Sequence, residues 1–470
     1  MSMLPRLKPQ CFYDLVVEVA IVRPGPIQGG MVHPYLQARA LHRASTNPEG
    51  IALEYPALKE ALSRTHGVPI FQEQVMQIAM LAADFSAGEA DALRRSMAAW
   101  KRKGGVHKFY DRLVGGMLKN GYSQEFAERL FKQIEGFGEY GFPESHAASF
   151  ALLVYASCWL KWHEPACFLA AMLNSQPLGF YGPSQLVQDA QRHGVEVRAV
   201  DVAHSDWDCT LEPNPVHPEP VEGRTDAQPA VRLGLCMVSG LKETVAQRIS
   251  AERAKAPFTS TQDLALRCGL DVGDLRALAS ADALLSLSGH RRQQVWDASA
   301  LRPAPALLQG VPIDEDDLQL PPAQEGEEVT FDYAALGLTL RSHPLLILRG
   351  QLSKWKLLTA RQMHDYPSGR LVRACGIVTM RQRPQTAKGV VFVTLEDETG
   401  SVNVIVWKAV KEQFREVVYQ SRLMAVYGVW QRDDGHGGGS GGEVRHVIAK
   451  RLVDMTHLLG DLATSSRDFH

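Results

Sequence analysis

Fourteen consecutive residues, Ala147 to Leu160, are almost wholly apolar and end at Lys161. A bilayer-spanning helix needs about 20 such residues, so this run reads as a helix buried in a protein core. The stretch leading into it, Gly138 to Phe150 (GEYGFPESHAASF), is of another kind. Tyr140, Gly141 and Phe142 run into Pro143, Glu144, Ser145 and His146. Ser145 has the residue type of an N-cap. Helix N-termini leave backbone N–H groups free and carry partial positive charge. A turn that presents an aromatic, a glycine, a serine and a histidine there suits a phosphate or a base. Pro165 breaks the pattern, and Pro165 to Asn174 reads as a second buried helix.

The 470 residues suit three or four domains. A formal net charge of −2 excludes a uniformly basic nucleic-acid binder but leaves room for local basic faces. Seven scattered cysteines have no C-x-x-C spacing, which points away from a zinc or redox motif and towards a reducing cytoplasm. The first ten residues, MSMLPRLKPQ, lack the apolar core of a signal peptide. They carry no cap or strand signal, as though the chain opened inside a larger element.

Residues 11–22 are dense in apolar and β-branched types, and periodicity leaves strand and short helix both open. Arg23-Pro24-Gly25-Pro26 then holds an arginine on a stiff turn, which suits an anion. From Tyr55 to Phe137 the pattern is helical. Gln72 to Ala83 places Val75, Ile78, Ala79 and Ala82 at helical spacing, and Ser86 with Glu89 forms a capping box. Between Gly88 and Arg112 there are seven Lys/Arg against three acids, among them Arg94, Arg95, Lys101, Arg102 and Lys103. Such a run is a solvated helix end or a contact for polyphosphate or a nucleic-acid backbone. Ser123 starts a further helix that stops at Gly136.

Ser184 to Val200 reads as a helix then a strand. The D-x-D at Asp206 and Asp208 has no third ligand nearby and is structural. Glu212 to Gln228 is an exposed insertion. Residues 233–250 and 262–287 look like two helix–turn–helix units. Val238, Gly240 and Leu241 form the centre of a helix–hairpin–helix, a device that aims backbone N–H groups at phosphate. Lys242 stands where a second glycine is usual. Arg302 to Glu328, with seven acids and five prolines, reads as a linker, and its run Asp314–Asp317 as a solvated face. The stretch from Leu371 to Asp454 alternates as three strands, a helix and two strands, the order of an OB-fold barrel. Arg381, Arg383 and Lys388 flank its first hairpin, with Phe392 and Trp407 on adjoining strands. Basic groups interleaved with aromatics suit single-stranded nucleic acid, and the same aromatics also suit a barrel core.

The order of these features is distinctive. Arg-Pro-Gly-Pro, Q-E-Q-V-M-Q-I-A at 72–79, G-E-A-D-x-L-R-R at 88–95 and Y-G-F-x-x-S-H-A-A at 140–148 precede a hairpin pair and a barrel. In this the chain resembles the C-terminal half of a bacterial C-family DNA polymerase of the polymerase III alpha type. Pro143-Glu144, followed by Ser149-Phe150, resembles the error-prone branch, in which Asn-Lys is replaced. The resemblance implies a multidomain α + β protein: a partial fingers domain over 1–175, an α/β connector with an insertion over 176–230, tandem helix-hairpin-helix elements over 231–300, an acidic linker over 301–330, a connector over 331–369, an OB-fold domain over 370–455 and a tail over 456–470.

It further implies that Arg23, Arg94, Arg95 and the Lys101–Lys103 loop approach the incoming triphosphate and template. Tyr140, Gly141, Phe142, Ser145 and His146 would line the nascent base pair. Gly240 and Lys242 would hold duplex phosphates, and Arg381, Arg383, Lys388, Phe392 and Trp407 the single-stranded template. The three palm aspartates of the family, which hold two Mg²⁺, are not found in this sequence. The chain alone is therefore expected to bind no cofactor and to be inactive, with Mg²⁺ serving the full-length enzyme. The partners implied are primer–template DNA, a dNTP and an accessory Y-family-like protein that reaches the sliding clamp, with no membrane. The other reading is a non-catalytic DNA-binding scaffold made of hairpin and OB modules. Glu144, an acid where the replicative members carry lysine, is expected to weaken the electrostatic grip near the nascent pair.

Overall fold

The computed structural model describes residues 4–22, 32–44, 55–98, 109–136, 143–179, 181–214, 228–300, 318–384, 389–433, 444–464 and 466–469. The chain divides into two units at Cys158/Trp159.

The first unit is helical. Phe12–Ile21 is a helix, which settles the choice that periodicity left open; Val16, Val17, Ala20 and Ile21 form its buried face. Val32–Ala44, Gln72–Ala83, Ala87–Ala98, Tyr110–Lys119 and Gln124–Gly136 follow. Val75, Ile78, Ala79 and Ala82 are all buried, as their helical spacing requires. Ser86 accepts from the Glu89 N–H at 3.3 Å while the Glu89 carboxylate accepts from the Ser86 N–H at 2.8 Å, so the expected capping box is made. The Phe126 N–H donates to the Ser123 hydroxyl at 3.2 Å, which caps Gln124–Gly136 as read from the sequence. Helix Tyr110–Lys119 packs so closely on Gln72–Ala83 that a Cβ at Gly116 would lie 2.8 Å from Ala83.

Helix Glu144–His163 departs from expectation twice. It begins at Glu144, with the Ala147 N–H donating to the Pro143 carbonyl at 3.1 Å. Ser145 is therefore inside the first turn and is not the N-cap. The helix is also not a core helix: among its residues Ala147 and Ala151 are buried, while Phe150, Leu152, Leu153, Val154, Tyr155, Trp159, Leu160 and Trp162 are each at least 41% exposed. Only its first two turns meet the core of the first unit, through small alanines.

The second unit opens with helices Pro165–Asn174 and Pro183–Arg192 around a small sheet. Strand β1 (Val197–Arg198) pairs parallel with β3 (Ala230–Arg232), and β2 (Thr210–Glu212) pairs antiparallel with β3. Glu212 ties the sheet together: it accepts from Arg232 Nε at 2.8 Å and from Arg198 Nη1 at 2.6 Å. Asp206 lies in a loop, where it accepts from the Ser250 hydroxyl at 2.9 Å and from Arg253, a structural role. Helices Glu243–Lys255, Thr261–Cys268, Val272–Ser280, Leu285–Ser288 and Arg291–Ala300 form the hairpin region. Helix Glu325–Leu336 starts inside the stretch read as linker, before its expected end at residue 330. Helices Pro344–Lys354 and Ala360–His364 lead to the barrel.

The barrel strands are β4 (Leu371–Gln382), β5 (Val391–Asp397), β6 (Gly400–Val406), β7 (Leu423–Asp433) and β8 (Val444–Asp454). Their order is β5-β6-β8-β7-β4, and β4 closes the ring by pairing again with β5. The long β4 serves two neighbours along its length, β7 over Leu371–Ile377 and β5 over Ile377–Gln382, with a register shift between Val378 and Met380 in the second pairing. The single helix expected after β6 is two, Lys408–Gln413 and Arg415–Gln420. The stretch read as a tail adds β9 (Arg467–Phe469) parallel to Met380–Gln382 of β4. That end of β4 offers an unpaired edge, which the extra strand covers. Among the described residues no helix is long and apolar enough to cross a membrane.

Candidate nucleic-acid interface

The start of helix Glu144–His163 is held from three directions. The Glu144 N–H donates to the Glu73 carboxylate at 3.0 Å. The Glu144 carboxylate accepts from the Tyr13 hydroxyl at 2.9 Å and pairs with Arg64 at 2.8 Å. Arg64 lies over the Tyr13 ring, 4.0 Å from its centroid, so the two partners of Glu144 also hold each other. Burial, with the Glu144 carboxylate next, pushes the Tyr13 hydroxyl above its ordinary pKa, so it stays a donor at any physiological pH.

Two motif residues nearby serve this scaffold. Gln74, buried, accepts from the N–H groups of Ile70 and Phe71 and donates to the Ala61 carbonyl and the Thr65 hydroxyl. Glu73 supplies the capping carboxylate. Ser145 and His146 are exposed beside this anchor, and the His146 ring meets Phe150 edge-on at 4.6 Å. Tyr140, Gly141 and Phe142 lie outside the described residues, as do Arg23, Lys101, Arg102, Lys103 and Lys388.

Arg94 and Arg95 share one carboxylate. Asp91 Oδ1 takes Arg94 at 2.8 Å, and Asp91 Oδ2 takes Arg95 at 3.1 Å. The hydrogen bond from Arg94 holds the Asp91 carboxyl below the usual range. One negative charge thus positions two exposed guanidiniums and leaves the group net positive.

In the hairpin region Gly240 has φ +83, and its α-carbon faces open space. This left-handed backbone favours glycine. The preceding Ser239 N–H is already bonded to the Ala335 carbonyl at 2.8 Å. Lys242 is exposed at the position before helix Glu243–Lys255. The hairpins are pinned from behind by a buried ion cluster. Arg291, 2% exposed, pairs with Glu328 at 2.7 Å and with Asp332, and Arg341 joins both acids. Burial raises the carboxyl of neighbouring Asp282, which accepts from Gln294 and Arg341.

On the barrel the expected residues divide. Arg381 is turned inward: it donates to the carbonyls of Val418 and Ser421 and to Ser466, and it pairs with Asp468 at 3.5 Å. Its expected place on the single-stranded template is corrected to that of an internal strut joining β4 to the end of the chain. Its position late on a long strand, where the fold adds β9, gives no sign of this in the sequence. Arg383, Phe392 and Trp407 are exposed. Phe392 pairs with Gln382 and Ile405, and Trp407 follows Val406, the partner of Val391, so both rings sit at the β5–β6 face. Two lysines that sequence reading missed join them. Lys411 donates to the Gly389 carbonyl at 3.1 Å, and the Lys408 chain passes the same glycine. Their signal was the lysine pair one turn apart directly after Trp407. Among the described residues no group of three or more His, Cys, Asp or Glu could hold a metal ion.

The comparisons with known proteins follow the same divisions. The bacterial DNA polymerase III alpha subunit finger domain matches residues 1–121, a helix-hairpin-helix motif residues 194–294 and an OB-fold nucleic acid binding domain residues 372–452. The chain is 56% identical to an error-prone DNA polymerase of Bordetella bronchiseptica, 55% to one of Burkholderia pseudomallei and 53% to one of Pseudomonas fluorescens. Each match covers 100% of this chain and 43%, 43% and 44% of the relative. The chain therefore spans less than half the length of the curated relatives it matches. A crystal structure of asparaginyl-tRNA synthetase from Pyrococcus horikoshii aligns over 21% of this chain and 23% of that one, at 23% identity and a TM-score of 0.18.

Proposed function

Because the chain belongs to the bacterial polymerase III alpha-type family, in its error-prone branch, we propose that it works as the C-terminal part of an error-prone DNA-directed DNA polymerase. The reading is carried by one observation. A fingers-type unit, a helix-hairpin-helix region and an OB barrel follow one another in a single chain that matches polymerases from end to end.

Each part has a physical task. In the fingers unit, Arg94 and Arg95 are held by the one carboxylate of Asp91 and present positive charge to the triphosphate of an incoming dNTP. The helix start anchored on Glu73, Tyr13 and Arg64 sets Ser145 and His146 against the nascent base pair. Gly240 and Lys242 take phosphates of the primer–template duplex without reading its sequence. Phe392 and Trp407 stack bases of the single-stranded template, and Arg383, Lys408 and Lys411 meet its phosphates. In the full-length enzyme, two Mg²⁺ held by palm carboxylates outside these residues would supply the charge neutralisation of phosphoryl transfer. The chain alone is then inactive. The damage-induced translesion setting, the cytoplasmic location and the accessory Y-family-like partner that leads to the sliding clamp belong to the same proposal.

Binding of a fluorescent primer–template DNA, followed by anisotropy from 50 to 300 mM salt, tests the reading. The expected result is binding that weakens steeply with salt, with no primer extension when Mg²⁺ and dNTPs are added. Absence of binding at low salt would sink the DNA-binding assignment, and extension above background would sink the assignment of the palm to another part of the enzyme.

A further inference from the structure

The outer face of the barrel that carries β4, β7 and β8 is not the β5–β6 face, and it holds a cluster that the proposed function does not use. Arg373 on β4 pairs across the sheet with Tyr427 on β7. The Arg373 guanidinium lies 5.5 Å from the Tyr427 ring centroid, and that of Arg451 on β8 lies 5.8 Å from the same ring. Both fall within cation–π range. The strand order β8-β7-β4 puts the tyrosine between the two arginines, whose strands are about 10 Å apart. Arg373 Nη1 also donates to the Trp355 carbonyl at 3.5 Å, which brings in the turn Lys354-Trp355-Lys356. Both lysines are exposed, and the indole is 43% exposed.

Charge sets this cluster apart. In the same unit Arg198, Arg232, Arg253, Arg267, Arg291 and Arg349 each lie against a carboxylate. Among the described residues, no ion pair is made by Lys354, Lys356, Arg373 or Arg451. Asp454, the acid on the same strand as Arg451, is turned to Thr456, whose N–H donates to it at 2.9 Å. Two guanidiniums are thus oriented on one ring, and among the described residues most of their N–H donors have no acceptor and no carboxylate pairs with them. Oriented cations without a carboxylate form an anion site, and guanidinium forks match phosphate. The exposed indole beside them offers a stacking surface that only an unpaired base can reach.

We propose that this face is a second contact for single-stranded DNA: Arg373, Arg451, Lys354 and Lys356 take its phosphates and Trp355 stacks a base, while Tyr427 is a positioning residue. The inference rests on the reading that the barrel binds single strands, and extends the path of the strand around to the opposite side. A strand long enough to reach both faces is held twice; a short one is held at β5–β6 alone.

The test uses the full chain with fluorescent dT30, dT10 and a hairpin duplex, read by anisotropy across a salt series. Replacing Arg373 and Arg451 together by serine removes two phosphate contacts. The salt slope for dT30 should then fall by about 1.4, which at 0.1 M salt, relative to 1 M, is a loss of roughly 25-fold in affinity. Binding of dT10 and of duplex should be unchanged. Tyr427→Leu should give part of the loss and Tyr427→Phe, which keeps the ring, almost none. Phe392→Ala with Trp407→Ala should weaken both dT10 and dT30. If the double serine variant leaves the dT30 slope unchanged while the Phe392/Trp407 variant weakens it, the second contact is wrong and the first stands. If the double serine variant weakens the duplex instead, the occupant is not a single strand. If the unaltered chain binds no oligonucleotide at low salt, both readings fall.

Discussion

Glu73 caps a helix that begins 71 residues later: its carboxylate accepts from the Glu144 N–H at 3.0 Å. An acid at that point also meets the positive end of the helix dipole. Glu73→Ala removes the cap and should destabilise the first unit by about 1 kcal/mol, with Glu73→Gln losing less. Chemical denaturation followed by a probe in that unit measures this.

The charge of Glu144 is already matched by Arg64. Glu144→Lys places a cation against Arg64 and leaves the half-buried Tyr13 hydroxyl without its acceptor. We predict a loss of about 2 kcal/mol in the first unit, with about half of it for Glu144→Gln. In a full-length polymerase the same lysine should lower misincorporation. Because Arg64 offsets Glu144, Arg64→Ala should raise misincorporation, and equal error rates in all three enzymes would end this idea.

Arg291 is the buried cation between two buried acids, Glu328 and Asp332. Arg291→Ala strands Glu328 and Asp332 with only the half-exposed Arg341 as partner and should cost about 3–5 kcal/mol. Replacing all three by apolar residues of similar size should recover much of it. Urea midpoints of the second unit report both.

The Glu212 carboxyl is drawn down to about 2 from an ordinary 4.5, chiefly by its hydrogen bond with Arg232 and then by that with Arg198. A lowered folded-state value stabilises above the unfolded value and is lost as pH falls towards the folded one. The small sheet should therefore lose stability between about pH 4.5 and 2. Glu212→Gln, less stable at neutral pH, should show a flatter acid limb in thermal melts.

Arg381 and Trp407 were expected to act alike and should behave oppositely. Trp407→Ala should weaken single-strand binding by about 1–3 kcal/mol without moving the melting temperature. Arg381→Ala should lower the melting temperature by several degrees, because it leaves the Val418 and Ser421 carbonyls unpaired. Paired binding and melting curves separate the two roles.

Local signals were the ones the sequence carried well. The Ser86–Glu89 box, the Ser123 cap, the Gly240 turn and the order of the barrel strands each depend on residues a few positions apart. What stayed hidden depends on distant partners. Glu73 lies inside a motif whose helical face says nothing of Glu144. Arg381 has the residue type of a phosphate contact, and its inward place depends on the distant Val418 and Ser421 carbonyls and on the strand at 467–469. Tyr427 and Arg451 sit on strands that read as ordinary barrel pattern, and Arg373 joins them only when the sheet closes. The apolar run at 147–160 gave the right element and the wrong environment, since hydropathy cannot say whether a covering surface is supplied by the same residues.

That helix has a practical side. Three turns of leucine, tryptophan, tyrosine and phenylalanine stand in water around a single axis. A purified preparation of this chain should be sticky: it will dimerise and then precipitate as concentration rises, sooner with added sulfate and later with mild detergent. Light scattering against concentration shows this directly. Leu152→Lys with Leu153→Glu should clear the solution without touching the capping box, the hairpins or the barrel.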